Sequence, residues 1–168
     1  MSDILRLARR IGMTVGIGRQ TADTDESRGS ATMQVALGGD ELRDNVPHTQ
    51  MFGFASRPIP GSDVVVLFQG GNRRQGTVIA SGHQPSRPRD LASGEVCVFH
   101  PSSGARVWFR SDGSIRIVPA GAPVEIDGDL VVTGKVTAAD AVFAGITQST
   151  HEHTNGNNGG NTGHPVAG

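Results

Sequence analysis

The chain has 168 residues, of which 24 are glycine and nine proline, with 36% hydrophobic and 18% charged residues. The charged fraction falls below the ordinary ~25%, and the apolar share reaches the ordinary range of about 45–50% only when the many glycines are counted, so either part of the chain is disordered or it borrows core from other copies of itself. Fifteen basic against sixteen acidic residues leave a formal charge of −1, which argues against a surface that coats nucleic acid, and a single cysteine, Cys97, excludes an intrachain disulfide or a Cys-based zinc site.

Residues 2–11 read as a short amphipathic helix within an N-terminal segment 1–12. Ile4, Leu7, Ala8 and Ile11 follow the i, i+3, i+4, i+7 spacing of a buried stripe, Ser2 or Asp3 can cap it, and Gly12 ends it. Arg6, Arg9 and Arg10 interrupt the only apolar stretch near the N-terminus, so no signal peptide is expected. Residues 13–81 offer five strand candidates, at 13–20, 31–38, 46–54, 63–69 and 75–81. Five strands in that length suit a small OB-fold-like barrel, with an SH3-like barrel left open as an alternative. The run Val64–Phe68 is far shorter than the roughly 20 residues that span a bilayer.

Residues 82–93 form a polar, proline-bearing linker, and from Gly94 the texture changes. Over 94–144, short alternating runs close at Gly104, Gly113, Gly121, Gly128 and Gly134. Val107 and Phe109, Ile115 and Ile117, Val124 and Ile126, and Leu130 and Val132 each sit two apart and share a face. Such a meander has one narrow apolar face and nothing in the same chain to cover it. The economical solution is several identical chains wrapped around a shared axis, a β-prism or intertwined β-helix, with three chains the simplest closed arrangement. Bases also thin out here: residues 118–168 hold one, Lys135, against five acids. Residues 145–168 hold almost no apolar material, and their composition is that of a disordered segment.

His151-Glu152-His153 is the feature that could carry chemistry. On an extended strand both imidazoles point one way and Glu152 the other. One chain supplies two nitrogens. Three chains around an axis supply six, an octahedral cage that suits a divalent first-row metal such as iron or nickel better than four-coordinate zinc. The plain alternative is two solvated histidines in a polar tail, with His164 as a loop histidine beside Pro165. Gly70-Gly71-Asn72-Arg73-Arg74 precedes a strand rather than a helix and reads as a hairpin turn with exposed arginines, not a phosphate loop. Cys97 reads as a small buried apolar residue, and Asp23, Asp25 and Glu26 lack the Gly and terminal Glu of a calcium loop. His48, His83 and His100 have no Ser or Asp partner at a recognisable spacing. No nucleophile, paired carboxylate or other catalytic pattern is found, so no enzyme activity is expected.

Residues 50–61 (Gln-Met-Phe-Gly-Phe-Ala-Ser-Arg-Pro-Ile-Pro-Gly), with Val65-Val66-Leu67-Phe68 and Gly70-Gly71-Asn72-Arg73, resemble the N-terminal barrel of the phage baseplate assembly protein V family. Gly94-Glu95-Val96 followed by Gly104 resembles that family's entry into a β-helical shaft, and His151-Glu152-His153 before Gly/Asn-rich residues and Pro165 resembles its tip. The ordered set runs from about residue 10 to the end. The resemblance implies an all-β homotrimer: an OB-fold-like platform, an intertwined β-helix or β-prism shaft over 94–144, and a needle tip over 145–168. In the tip, one iron ion per trimer is held at His151 and His153.

The expectation that follows is a structural central spike at the end of a contractile phage tail, located in the virion baseplate. It would be driven through the host outer membrane on sheath contraction, aiding host cell entry without cleaving any bond. Its partners would be two further copies of itself, the tail hub and other baseplate proteins, and the membrane it crosses. Neither nucleic acid nor a small-molecule substrate is expected. Phe52, Phe54, Pro58 and Pro60 are the candidate hub contacts. The competing reading is an OB-fold module that binds oligosaccharide or nucleic acid and carries a disordered His/Gly/Asn tail; few aromatics are available for stacking.

Overall fold

The computed structural model describes residues 2–152. They form one α-helix, two three-residue 3-10 turns and ten strands, so the fold is mostly β. Two compact units divide between Pro123 and Val124. The first begins with α1 (Ser2–Gly12), followed by β1 (Val15–Gln20), β2 (Thr32–Leu37), β3 (Leu42–Pro47), β4 (Asp63–Phe68) and β5 (Gly76–Gly82). These five strands make one antiparallel sheet in the order β3-β2-β1-β4-β5. It curls into a half-barrel, and a parallel bridge between His48 and Val78 joins its two ends. The five strands and the curl agree with the expected small β-barrel unit.

The core lies inside the curl. Met33, Val35 and Leu37 of β2, Val46 of β3, Val64, Val66 and Phe68 of β4, and Val78 of β5 are buried together. The alternation along β2 and β4 places these residues inward. β1 contributes no large apolar residue to this core because it is crowded. A Cβ at Gly16 would lie 2.8 Å from the Phe68 ring, and one at Gly18 would lie 2.5 Å from the Ala36 carbonyl oxygen and 2.8 Å from Val35. Glycine faces inward there, and Val15 and Ile17 face out.

Two expectations are corrected in this unit. The third strand is not at 46–54 but at 42–47: a tight turn, closed by Leu37 N–H donating to the Glu41 carbonyl at 2.7 Å, returns the chain at once. Charged Arg43 and Asp44 hide that strand from an apolar-pattern reading, and Pro47, lacking an N–H, ends its ladder. The helix forms where expected, but its stripe is not buried: Ile4, Leu7 and Ile11 are all exposed.

Beyond the linker, β6 (Val96–Phe99), β7 (Arg106–Phe109) and β8 (Ile115–Val118) form an antiparallel three-stranded sheet. Val96 stands opposite Phe109, Val98 opposite Val107, Val107 opposite Ile117 and Phe109 opposite Ile115, so all six share one face. Five of them are exposed and Val107 is half-buried. The other face is closed by Trp108, which lies under the Arg106 guanidinium at 4.3 Å and donates through Nε1 to Glu95 at 3.0 Å. Cys97, opposite Trp108, is half-buried rather than fully buried.

Residues 119–141 contain no strand, and every residue from 119 to 140 is exposed, so the runs around Val124, Ile126, Leu130 and Val132 find no partner strand among the described residues. In the second unit, β9 (Val142–Phe143) and β10 (Ile146–Thr147) form a hairpin across Ala144 and Gly145. Both turn residues have positive φ, 50° and 82°, as a two-residue type I′ turn requires.

Candidate functional site

The hairpin of β9 and β10 leads to the first histidine of the His-x-His motif. Asp140 braces its base: its carboxylate accepts from the backbone N–H groups of Ala141 (2.8 Å) and Ser149 (3.1 Å) and from the Ser149 hydroxyl (2.6 Å). The bond from the Ser149 hydroxyl, the strongest of these influences, holds the Asp140 carboxyl below its ordinary range. His151 Nδ1 lies 2.8 Å from the Gln148 carbonyl oxygen. A carbonyl can only accept, so Nδ1 carries the proton and the lone pair of the neutral ring sits on Nε2. His153 and His164 lie outside the described residues. Among the described residues, no three His, Cys, Asp or Glu side chains gather in a way that would hold a metal.

The candidate docking residues separate into two kinds. The Gln50 carboxamide spans the loop that carries Phe52 and Phe54. Its oxygen accepts from Ser56 N–H at 2.8 Å and Ser56 Oγ at 3.0 Å, and its Nε2 donates to the Ser56 carbonyl at 2.6 Å. Phe54 N–H donates to the Met51 carbonyl at 3.0 Å and closes a turn at the tip. Met51, Phe52 and Phe54 therefore stand in solvent on a braced loop, Phe52 fully so. Pro58 instead serves the barrel itself. Half-buried, it offers its carbonyl to Gln20 Nε2 and Thr24 Oγ1, both at 3.2 Å. Pro60 is exposed. Arg57, just before Pro58, pairs with Asp23 at 2.6 Å.

One cluster escaped the sequence reading. Arg73, expected as an exposed turn residue, is largely buried: it grips Glu41 with Nη2 to Oε2 at 2.7 Å and lies 4.1 Å over the Phe68 ring. Arg43 holds the other carboxylate oxygen at 2.7 Å. These ion pairs fasten the β2–β3 turn to the segment that enters β5, across the open side of the half-barrel. Hydrogen bonding from Arg73 first, and from Arg43, keeps the Glu41 carboxyl below its ordinary range against the opposing effect of burial. No local pattern announces such a pair, because Glu41 and Arg73 are 32 residues apart. His48, nine-tenths buried beside the bridge to β5, has its basicity lowered by burial, with Glu26 opposing.

No helix among the described residues is long and apolar enough to cross a membrane. Residues 21–85, the greater part of the half-barrel, match the family model for the N-terminal region of bacteriophage Mu Gp45. Over 184 aligned positions, covering 95% of this chain and 88% of the relative, the sequence is 29% identical to the baseplate puncturing device gp45 of Escherichia phage Mu. The second match extends past the barrel through the three-stranded sheet and the strandless segment. Both matches are thus to a phage baseplate puncturing protein, one over the barrel region and the other over most of the chain.

Proposed function

We propose that the protein is the homotrimeric central spike of a contractile tail and acts mechanically, carrying a narrow point through the host outer membrane when the sheath contracts. The observation that carries this reading is the apolar face of β6, β7 and β8, followed by residues 119–140 without one buried side chain. Ordering a residue's backbone costs roughly 1–2 kcal/mol. A segment that buries nothing cannot offset that cost alone. Three copies wrapped about one axis would cover the exposed face of each sheet with those of its neighbours and give residues 119–141 strands to pair with, forming an intertwined β-helix or β-prism shaft. Residues 118–168 are weakly acidic with Lys135 as their one base, which suits an object that passes through a membrane rather than one that binds its surface.

At the tip, the residues fit a metal. The tautomer of His151 directs Nε2, not Nδ1, toward a ligand, with Gln148 as the outer partner that orients the ring. Three copies each supplying His151 and His153 would hold one iron ion, whose contribution is to pin the tip where apolar packing is missing. At the other end, Phe52 and Phe54 on their braced loop, with Pro60 beside them, would dock to the hub. Native mass spectrometry of untagged protein prepared without added metal tests the reading. The expected result is a trimer with one transition-metal ion, and a His151→Ala/His153→Ala variant that remains trimeric without it. A monomer would overturn the spike, and unchanged metal content in the double variant would overturn the ligand assignment.

A further inference from the structure

Two apolar surfaces of the first unit are left uncovered, and they complement each other. One is the outer face of the half-barrel. Because β1 turns its glycines inward, Val15 and Ile17 point outward with 54% and 75% of their surface exposed. Leu67 pairs with Val15 and Val65 with Ile17, and the bulge in β5 adds Ile79 beside Val65. The other surface is α1, in which every residue from 3 to 12 is exposed. Its Leu7, Ile11, Ile4 and Ala8 span an arc of about 100°, the width of a stripe that packs on a broad surface rather than a two-position coiled-coil seam. Arg6, Arg9 and Arg10 take the opposite side. A helix of eleven residues lies below the roughly 12–15 needed for stability in water without packing.

The two surfaces cannot meet within one chain. Only Met13 and Thr14 separate α1 from β1. In addition, Arg10 Nε donates to the Gly70 carbonyl at 3.1 Å, tying the last turn of the helix to the β4–β5 connection. A helix so closely joined and so pinned has no loop with which to fold back over the outside of the next strand. The cover must come from another molecule, and the chain itself carries an exposed apolar stripe that could supply it.

We propose that α1 of one copy packs on the outer face of β1 and β4 of the next copy, joining the barrels head to tail. The contact uses different surfaces on its two sides, so it closes on itself only as a ring. With three copies it forms a collar of exchanged helices above the shaft. This rests on the trimer proposed above.

Disulfide trapping in the full chain tests it, with Leu7→Cys and Ile17→Cys introduced together in a Cys97→Ala background. Under mild oxidation the expected product is a covalent trimer of 17.5 kDa chains on a non-reducing gel. An internal disulfide with no covalent oligomer would overturn the exchange. So would covalent dimers from Leu7→Cys alone, which would mean that helices pair with helices. A second measurement does not depend on cysteine geometry. Amide hydrogen exchange across residues 3–11 should be slow in the unaltered protein and at least tenfold faster in Ile17→Asp. Equal exchange in the two would count against the contact. Native mass of the unaltered chain separates the two proposals: a monomer ends both, and a trimer that fails trapping and exchange ends this one alone.

Discussion

Glu41 shows how one charged residue holds a small barrel together. Its carboxylate is shared by Arg73 and Arg43, and these bonds place its folded pKa below the ordinary 4.5. A depressed carboxyl contributes stability that is fully present above its unfolded pKa and is lost as pH falls through the folded value. Glu41→Gln should therefore lower unfolding stability at neutral pH by about 1–2 kcal/mol, because the two partners stay partly buried without a counter-charge. The loss should shrink on acidification until variant and parent converge. Urea unfolding at pH 7, 5 and 3 measures both effects, and a penalty that persists undiminished at pH 3 would rule out the charge as its source. His48 works in the same pH direction: burial depresses its basicity, so its part in stability falls as pH drops below 6.5.

At the scale of elements, β1 is the strand whose pattern misleads. Met13-Thr14-Val15-Gly16-Ile17-Gly18 alternates large and small residues, and the usual expectation sends the large ones inward. The reverse happens because Phe68, Leu37 and Val35 already fill the space beneath it. Gly18→Ala should cost about 1–3 kcal/mol, the usual penalty of overpacking. Its new methyl would meet the Ala36 carbonyl, a backbone atom that cannot rotate away. Thermal unfolding of the full chain checks this, and a variant as stable as the parent would show that β2 can shift to accommodate it. Ile17→Ala, on the outer face of the same strand, should leave the barrel core unaffected.

For the whole molecule, the decisive feature is the imbalance between the two faces of the three-stranded sheet. Trp108, Glu95, Arg106 and Asp90 finish one face, with Arg106 forming a two-bond pair to Asp90 at 2.6 and 2.7 Å. The other face carries Val96, Val98, Phe109, Ile115 and Ile117 into solvent. If that face is the trimer seam, Phe109→Asp with Ile117→Asp should abolish the trimer, since the seam cannot bury six uncompensated carboxylates. Light scattering coupled to size exclusion reads this directly, and a variant that still runs as a trimer would move the seam elsewhere. Converting the exposed Phe52 to Asp should leave the oligomer intact and affect only docking to the baseplate.

The all-β class, α1, four of the five barrel strands and the two-apart pairing of Val107 with Phe109 and Ile115 with Ile117 were legible in the amino-acid order, because glycine punctuation and local alternation are short-range signals. The similarity to a phage baseplate protein was legible too, from residues 50–61 and the run that follows. Tertiary structure alone decided what depends on residues distant in sequence. It set the start of β3 at Leu42, where charged side chains mask a strand defined by its pairing with β2. It drew Arg73 from an apparent surface turn onto Glu41 and Phe68. It also turned β1 inside out, because which face of a strand is inward depends on the volume already occupied beneath it, and the strand's own residues do not encode that volume.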